Sequence, residues 1–555
     1  MSLPAKDSSA APTGRIQELS RIYGDPELSV ADVLCDRHPV DAIAYTIVES
    51  DLRVTALTYG ELSEASARFA AALAELGVGA GDRVAVLMSK CAEQLIAVMG
   101  IWRLGAVHVP LFTAFAPSAI ALRVLGSGAK VVICDSAQRT KLRPGEDLPV
   151  DPPWRVVVVG DELDEGDLNM RDLLARHESG LPAAAVGGSG PIIQIYTSGT
   201  TGRPKGVVVP AAALTSFHTY MEFGLDLRPE DTFWNAADPG WAYGLYYGII
   251  GSMCVGAPSV WLHHGFDAEL TWQVMSGLRV TNFAAAPTVY RSLRASNTTA
   301  PGRLFLRAAS AAGEPLTPEV NEWAADALGV AVHDHYGQTE TGMVINNHHH
   351  PALARPLRAG TMGHPMPGWR AVVLREHEDL PAPPGALGRI AFDLRNSPLA
   401  WFTGYHEQPG KSAEKFSPDG RWYYTGDTAL VDQEGYWHFM SRDDDVIIMA
   451  GYRIGPYDVE SVLLGHYAVI DAAVIAAPDE LRGEVLEAYV VLRDGRTGTP
   501  ELVEELQRLV KTRFAAHAYP RTVHFIDVLP KTASGKVQRH VLRQRRRREL
   551  QDVRR

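Results

Sequence analysis

Residues 196–206 read Tyr-Thr-Ser-Gly-Thr-Thr-Gly-Arg-Pro-Lys-Gly, and this stretch decides how the rest of the chain is interpreted. It follows the apolar run 191–195 (PIIQI), which is typical of a buried strand. Its small and hydroxylated residues leave backbone N–H groups and hydroxyls free to surround phosphate oxygens. The P-loop pattern GxxxxGK[ST] does not fit, because Lys205 lies three residues beyond Gly202 and is followed by Gly206. The sequence therefore predicts a phosphate-binding loop of another kind.

Short apolar runs and helical segments alternate on both sides of this loop. Thr58 and Glu61 form a capping-box signature, and apolar residues recur behind them at helical spacing. Runs typical of buried strands occupy residues 84–88, 131–134, 156–159 and 192–196. The glycines of segment 77–81 precede a strand instead of following one, so they are not a dinucleotide-binding fingerprint. The alternation predicts an α/β protein with largely parallel sheets.

Composition excludes several classes of protein. The chain has 555 residues, with 53 Lys plus Arg, 65 Asp plus Glu and a net charge of −12. A hydrophobic fraction of 46% and a charged fraction of 21% exclude a mostly disordered or fibrous chain. Net acidity argues against a nucleic-acid partner. Scattered cysteines without a CxxC pair predict a reducing, cytoplasmic location; they are Cys35, Cys91, Cys134 and Cys254.

Two stretches bear on targeting and on membranes. Residues 1–14 lack the apolar segment of a secretory signal, and we predict a flexible tail over residues 1–27. Residues 243–262 carry no charge and are long enough for a membrane helix. Gly251 and Pro258 interrupt them, so the stretch predicts a buried helix followed by a buried strand. We predict no membrane span.

The pattern changes from residue 443 onward. An acidic cluster at 443–445 is followed by strand-like runs at 472–476 and 486–492 and by an amphipathic helical segment that begins near Leu502. This order predicts a small α+β domain over residues 443–555, joined by a hinge near Asp444 to a large domain over residues 28–442. The basic end of the chain is interpreted as solvated.

The loop at 196–206 resembles the signature of the adenylate-forming (AMP-binding) superfamily, which includes acyl-CoA synthetases, luciferases and the adenylation domains of peptide synthetases. Six further family motifs follow in the family's order: Ala312–Pro315 (AGEP), Tyr336–Glu340 (YGQTE), Tyr424–Asp427 (YTGD), Arg442–Asp445 (RDDD), Gly451–Arg453 (GYR) and Lys531–Lys536 (KTASGK). The likeness extends over nearly the whole chain, and AAGEPL and HDHYGQTET are most similar to medium-chain acyl-CoA synthetases.

The resemblance implies a large multi-subdomain N-terminal domain and a small mobile C-terminal lid. It implies an acyl-CoA synthetase that converts a carboxylic acid, ATP and CoA to acyl-CoA, AMP and pyrophosphate through an acyl-adenylate, with Mg²⁺. Two other functions stay open: a ligase that loads a carrier protein, and an enzyme that performs one half-reaction with a partner enzyme. Complete motifs disfavour a nucleotide-binding regulator without turnover. A homodimer is left open.

The resemblance also implies roles for single residues. Lys536 bridges the attacking carboxylate and the α-phosphate, Thr339 contacts that phosphate, and Glu340 holds Mg²⁺. Asp427 accepts the ribose hydroxyls, and Arg442 makes a second ribose or phosphate contact. The remaining implied ATP contacts are Thr197, Ser198, Gly199, Thr200, Thr201, Gly202, Lys205, Gly313, Glu314, Pro315, Asp334, His335, Tyr336, Gly337 and Gln338.

The second half-reaction and the acid are assigned in the same way. Asp444 is the implied hinge, and Gly451, Tyr452 and Arg453 belong to the implied CoA tunnel. Acetyl-CoA synthetases carry a bulky tryptophan where Gly337 stands, so a deeper pocket for a medium-chain or bulky hydrophobic acid is expected, at about 0.8 kcal/mol per buried CH₂. The candidate pocket residues are Trp241, Tyr243, Tyr246, Ala285, Gly337 and Met343, of which Trp241 and the two tyrosines are equally interpretable as core residues.

Residues 348–350 are three consecutive histidines. Adjacent side chains diverge and no ligand spacing accompanies them, so the run predicts a solvated loop before Pro351 more than a metal site.

Overall fold

The structure is a computed structural model that describes residues 12–553, apart from 198–203, 297, 443–444, 446, 450–451, 480–482, 516–517 and 533–535. Parallel strands alternate with helices in the larger N-terminal part, and a mostly antiparallel α+β unit follows. The predicted α/β class with a second, smaller unit is confirmed.

The described residues form four sheets, of which the largest has nine strands. Its six central strands run parallel, and its antiparallel pairs lie at the two edges. In spatial order the strands are His364–Pro365, Gly342–Asn346, Val332–Gln338, Ala308–Ala312, Asn282–Ala285, Phe233–Asn235, Ser259–Leu262, Ile43–Val48 and Val54–Thr58.

The second sheet, counted over the same residues, has seven strands, and its last pair is antiparallel. Their order is Leu168–Asn169, Arg155–Val159, Val131–Asp135, Arg83–Leu87, Val107–Pro110, Pro191–Thr197 and Lys205–Pro210. Four of these strands coincide with the apolar runs of the sequence. Those predictions are confirmed.

Two smaller sheets complete the described structure. One is antiparallel and contains Ala371–Leu374, Gly388–Asp393, Trp422–Val431 and Trp437–Arg442. The other belongs to the C-terminal unit and contains Tyr452–Ile454, Ile447–Met449, Gly483–Leu492, Val469–Asp479 and Thr522–Phe525. This unit has its own hydrophobic core, which includes Val459, Val474 and Leu506.

α-Helices connect many of these strands. The predicted capping box is confirmed, since Thr58 Oγ1 accepts the Glu61 N–H and the Glu61 carboxylate accepts the Thr58 N–H. The α-helices are Pro12–Tyr23, Tyr59–Glu75, Ala92–Arg103, Pro117–Ser127, Ser136–Arg139, Met170–Arg176, Leu214–Thr219, Ser252–Val255, Ala268–Gly277, Pro287–Ala295, Pro318–Ala327, Pro409–Ala413, Pro456–Leu464, Pro500–Arg513 and Arg539–Val553. Short 3₁₀ helices span Thr140–Leu142, Ala211–Ala213 and Leu394–Asn396, and π-helices span Asp32–Asp36, Tyr220–Gly224 and Gly244–Gly251.

The predicted tail is shorter than residues 1–27. Helix Pro12–Tyr23 buries Ile16, Leu19 and Tyr23, and Leu19 and Tyr23 have no exposed surface. Arg15 also forms an ion pair with Glu222, whose side chain is 5% exposed. Residues 12–23 are therefore part of the folded N-terminal unit, and the prediction of a tail is wrong for them.

The uncharged stretch 243–262 is buried. A π-helix at Gly244–Gly251 continues into helix Ser252–Val255 and then strand Ser259–Leu262. The predicted buried helix followed by a buried strand is confirmed. None of the helices in the described part of the chain is both long enough and apolar enough to cross a membrane.

Candidate active site

The carboxyl ends of parallel strands bring the motifs of the sequence together. Strand Ala308–Ala312 continues into Gly313, and strand Val332–Gln338 ends in a tight turn that carries Thr339 and Glu340. Ligands of open α/β sheets bind outside these strand ends. A cleft of about 700 Å³ opens there. Of the predicted site residues, its wall contains Thr197, Lys205, Trp241, Gly313, Glu314, Pro315, Asp334, His335, Tyr336, Gly337, Gln338, Thr339, Glu340, Asp427, Arg442 and Lys536.

Asp427 is the centre of a hydrogen-bond network on one side of the cleft. Its Oδ2 accepts the Tyr336 hydroxyl at 2.5 Å and the Gln338 Nε2–H at 2.6 Å. Its Oδ1 accepts an Arg442 N–H at 3.1 Å. The Tyr423 hydroxyl donates to Gln338 Oε1 at 3.0 Å, which orients the amide so that its NH₂ faces Asp427. These three donors hold the Asp427 carboxylate in a fixed orientation on the cleft wall.

Glu340 lies in the turn that follows strand Val332–Gln338. Its Oε1 accepts the Tyr405 hydroxyl at 2.7 Å, and the residue is 8% exposed. The Lys205 ammonium lies 4.7 Å from the centre of the Tyr405 ring. Among the described residues, Glu340 has no Lys or Arg within ion-pair distance. A buried carboxylate without a cationic partner is suited to a cation brought by a ligand.

The strip 313–315 forms another part of the wall. Glu314 is held by two 3.0 Å hydrogen bonds from Arg291 Nη2 and by the Thr288 N–H. Asp334 lies on the neighbouring strand, and its Oδ2 accepts the Leu316 N–H at 3.2 Å. Burial raises the pKa of Asp334 to about 7, against the opposing effect of its backbone donors. A carboxyl that is protonated near neutral pH can donate a hydrogen bond as well as accept one.

Lys536 comes to this wall from the C-terminal unit. Lys536 is an exposed residue whose surface faces the open cleft, and residues of both units enclose that cleft around it. This enclosure lowers the pKa of its ammonium; the Arg442 charge lowers it further, and the carboxylates of Asp427, Glu340 and Glu314 oppose both effects. The predicted meeting of Lys536 with the strand-end motifs is present.

Buried ion pairs fix the segment that carries Lys536. Arg539, at the start of the last helix, donates to both oxygens of Glu460 at 2.7 and 2.8 Å and to Asp445 at 3.2 Å. Arg543 donates to Asp445 at 2.7 Å. These pairs connect the last helix to the segment beside the predicted hinge.

Several predicted residues lie outside the described ones. They are Ser198, Gly199, Thr200, Thr201, Gly202, Asp444 and Gly451. Tyr452 and Arg453 lie in strand Tyr452–Ile454, and their side chains are not described.

The predicted acyl-pocket residues divide into two groups. Trp241 and Gly337 are on the cleft wall. Tyr243, Tyr246, Ala285 and Met343 are buried and are not on that wall. A Cβ at position 337 would lie 2.1 Å from the Gly342 carbonyl oxygen, so the facing backbone of the hairpin occupies the space that a side chain would need.

The histidine run is buried, so the prediction of a solvated loop is wrong. His348 and His350 are 5% and 7% exposed. His349 bonds through Nε2 to Ser310 Oγ and stacks on His333, with ring centres 3.7 Å apart. The segment is buried because it packs against strand Ala308–Ala312. This contact joins residues about 40 positions apart, so the residues next to the histidines in the sequence do not indicate it.

Nitrogens of His333, His335 and His349 lie within 4.8 Å of one another. The rings of His333 and His349 are within 10° of parallel, so their in-plane lone pairs run side by side and do not converge on one ion. Both His335 nitrogens are engaged, by the Tyr220 hydroxyl at 2.6 Å and by the Asn347 carbonyl at 3.1 Å. Burial lowers the pKa of all three imidazoles. We interpret the cluster as packing.

The wall residues that sequence reasoning missed include Arg291, Tyr405, Lys415 and Tyr457. Each lies outside the quoted motifs, and only the fold brings it to the cleft. Tyr405 and Lys415 are within about 22 residues of Asp427, but nothing in their spacing indicated a role.

Comparisons with known proteins agree with this geometry. The family model of the AMP-binding enzyme matches residues 32–405, and that of the AMP-binding enzyme C-terminal domain matches residues 458–536. The acetyl-coenzyme A synthetase of Bacillus subtilis (strain 168) is 36% identical over 496 residues, which cover 88% of this chain and 84% of that protein.

Solved structures that this chain resembles are also named as ligases that form CoA thioesters. A Brucella canis acyl-CoA synthetase is 42% identical, with a TM-score of 0.74 and coverage of 99% of this chain and 100% of that one. A benzoate CoA ligase from Burkholderia xenovorans LB400 is 29% identical, with a TM-score of 0.82 and coverage of 93% and 100%.

Proposed function

The chain belongs to the AMP-binding enzyme family and is an AMP-forming acid–thiol ligase that uses ATP and CoA; we propose that its acid is a medium-chain or bulky hydrophobic carboxylic acid. One observation carries the mechanism: Lys536 of the C-terminal unit is on the same cleft wall as Thr339, Glu340, Asp427 and Arg442. We propose that this arrangement serves the first half-reaction, in which the acid becomes an acyl-adenylate.

The difficulty of that step is electrostatic. A carboxylate oxygen attacks the α-phosphorus, the bond to the pyrophosphate oxygen breaks, and pyrophosphate leaves with its electron pair. Fixed cations must offset the repulsion between the two anions. We propose that Lys536 lies between the acid and the α-phosphate, while Asp427 and Arg442 hold the ribose. Because the pKa of Lys536 is lowered by its enclosure, binding of two anions will also strengthen its protonation.

We propose that Glu340 holds Mg²⁺ and that the preceding residue, Thr339, contacts the α-phosphate. The fit rests on a buried carboxylate that has one hydroxyl donor and no Lys or Arg ion pair among the described residues. Mg²⁺ prefers oxygen ligands and completes its coordination with phosphate oxygens and water. When bound, the ion would neutralise charge on the leaving pyrophosphate.

The proposed acid follows from the wall residues and from one relative. Trp241 supplies an aromatic surface on the cleft wall. A related structure is named for benzoate, a rigid aromatic acid. Apolar contact adds about 0.8 kcal/mol per buried CH₂, which favours such acids over acetate.

The second half-reaction forms the thioester. The CoA sulfur attacks the acyl carbonyl carbon, and AMP leaves with the electron pair of the anhydride C–O bond. For this step we propose that the C-terminal unit rotates about Asp444 and that Gly451, Tyr452 and Arg453 face the pantetheine chain. A cytoplasmic location is also part of the proposal, supported by four free and buried cysteines.

The test is a screen for CoA-dependent AMP release across straight, branched and aromatic carboxylic acids from two to twelve carbons. We expect kcat/KM to be highest for acids of six or more carbons or with a ring. A maximum at acetate would overturn the proposed acid. Pyrophosphate exchange without thioester formation from CoA would instead favour a carrier-loading ligase or a half-reaction enzyme.

A further inference from the structure

Lys415 is a cation of the cleft that none of the sequence motifs contains. It lies two residues after the short helix Pro409–Ala413, and it is on the cleft wall. Its Nζ donates to the carbonyl oxygens of Tyr424 and Thr425 at 3.2 and 2.9 Å. These carbonyls belong to the segment that leads to Asp427. The ammonium is therefore held in place on one side.

Among the described residues, no carboxylate oxygen lies within 4.0 Å of the Lys415 ammonium. Its neighbour Lys411 differs, because it forms an ion pair with Glu414 at 2.8 Å and is 55% exposed. Lys415 is only partly exposed. A charge that is withdrawn from water without a counter-ion destabilises the protein, and such charges are normally paired or bound to a ligand.

The surroundings identify the missing partner as an anion. Burial lowers the pKa of Lys415; the nearby carboxylates of Glu340 and Asp427 raise it, and the Arg442 and Lys205 charges lower it. Glu340 likewise lacks a Lys or Arg partner in the described part of the chain. The Glu340 carboxylate and the Lys415 ammonium line the same cleft but do not form an ion pair with each other. A phosphate chain with its divalent cation would give each of them a counter-ion.

We propose that Lys415 binds phosphate oxygens of ATP through the N–H that its two carbonyl contacts leave over. Three donors are available on an ammonium, and two are used by Tyr424 and Thr425. The inference rests on the proposed use of this cleft for ATP and does not depend on the identity of the acid. Lys415 thus adds a phosphate-binding cation beside Lys205.

The competing role is purely structural: Lys415 could hold the backbone before Asp427 and thereby the ribose site alone. The two roles differ in the ligand that they affect. Loss of a phosphate contact weakens the binding of ATP and not that of adenosine. Displacement of Asp427 weakens the binding of both ligands, since both contain the ribose.

The experiment measures equilibrium binding of ATP with Mg²⁺, and of adenosine, by calorimetry in the absence of acid and CoA. Lys415→Gln keeps an NH₂ group for the carbonyls and removes the charge. We expect the Kd for ATP to rise roughly 10-fold or more, as for a lost charge-assisted contact, and the Kd for adenosine to change less than about 2-fold. Lys415→Arg, which keeps the charge, should restore most of the ATP affinity.

Lys130→Gln is the matched control, because it removes an ammonium that pairs with Asp82 at 2.7 Å and lies away from the cleft wall. Its Kd for ATP should change less than about 2-fold. Equal losses for ATP and adenosine in Lys415→Gln, or no loss for either, would overturn the proposal. Because no acid is present, failure of the proposed acid specificity would leave this result unaffected.

Discussion

At the scale of single residues, Gly337 has a role that differs from the one its position first indicated. Absence of a side chain predicted a deeper pocket, but a Cβ there would lie 2.1 Å from the Gly342 carbonyl oxygen and 2.7 Å from the Met343 Cα. The glycine is required by the close approach of two backbones. Pocket depth is therefore set by where the hairpin lies as well as by side-chain size.

Gly337→Ala tests this reading. We expect the free energy of unfolding to fall by about 1–3 kcal/mol, because the hairpin must move to admit a methyl group. Acyl-CoA formation should fall for short and long acids alike. Gly265→Ala is the control, since no atom lies within 4 Å of its added Cβ. A variant that is as stable as the parent and rejects only large acids would show that Gly337 acts as a size filter.

His108 gives a prediction about pH. Its ring is buried in strand Val107–Pro110, and burial lowers its pKa to about 3. The unfolded chain protonates this imidazole near pH 6.5, so the unfolded state binds more protons between about pH 6.5 and 3. Stability is thus lost as the pH falls through that window, by about 2 kcal/mol at pH 5 for this group.

We expect His108→Leu to lose less stability than the parent between pH 7.5 and pH 5, whatever its stability at pH 7.5. The measurement is the thermal midpoint at both pH values, compared as a difference for each protein. His377→Leu is the control, because that side chain is 86% exposed. Equal differences for parent and His108→Leu would contradict the assignment.

At the scale of elements, the N-terminal helix Pro12–Tyr23 is fixed by polar contacts as well as by its apolar face. Arg15 donates to Glu222 at 2.8 and 3.1 Å, and Glu222 also pairs with His218. Burial raises the pKa of Glu222, but the hydrogen bonds and charges of His218 and Arg15 outweigh burial and hold it well below its usual range. The Tyr23 hydroxyl bonds to His218 at 2.9 Å.

Arg15→Met should lower the free energy of unfolding by about 3 kcal/mol, because it leaves a buried carboxylate without its guanidinium partner. Chemical denaturation would measure the loss. Arg21→Met, on the exposed face of the same helix, should change stability by less than about 0.5 kcal/mol. Equal and small effects would show that the helix is held by apolar packing alone.

The elements that could be predicted from the sequence are those whose signals lie within a few neighbouring residues. Thr58 and Glu61 satisfy each other's backbone N–H groups within four residues, so their helix start is visible in sequence. Apolar runs such as 131–134 identify buried parallel strands. The first helix was missed because its stability comes from Glu222 and His218, which are about 200 residues away. The π-helices have no simple sequence period and were not predicted.

At the scale of the whole molecule, the motifs predicted which residues would meet and left the contacts between units unknown. The order of the motifs cannot show that Tyr457 of the C-terminal unit donates to the Leu316 carbonyl at 3.1 Å, or that its ring lies edge-on to Phe439. Lys415 and Arg291 were missed for the same reason, because tertiary structure alone brings them to the cleft.

Tyr457→Phe tests whether this contact favours the adenylation arrangement. Loss of one hydrogen bond should slow acyl-adenylate formation roughly 2- to 10-fold in single turnover. Thioester formation from supplied acyl-adenylate should not slow, because that step is proposed to use another orientation of the C-terminal unit. Tyr467→Phe is the control, since Tyr467 is 60% exposed. Slowing of both steps to the same extent would contradict the proposed rotation.

The central claim is that Lys536 and the strand-end motifs act on one nucleotide during adenylation. The most direct measurement compares both half-reactions in Lys536→Ala, by pre-steady-state assay of acyl-adenylate formation and of thioester formation from supplied acyl-adenylate and CoA. We predict that the first rate falls about 10²- to 10³-fold while the second changes less than about 3-fold. Normal adenylation by this variant, or equal loss of both rates, would contradict the claim.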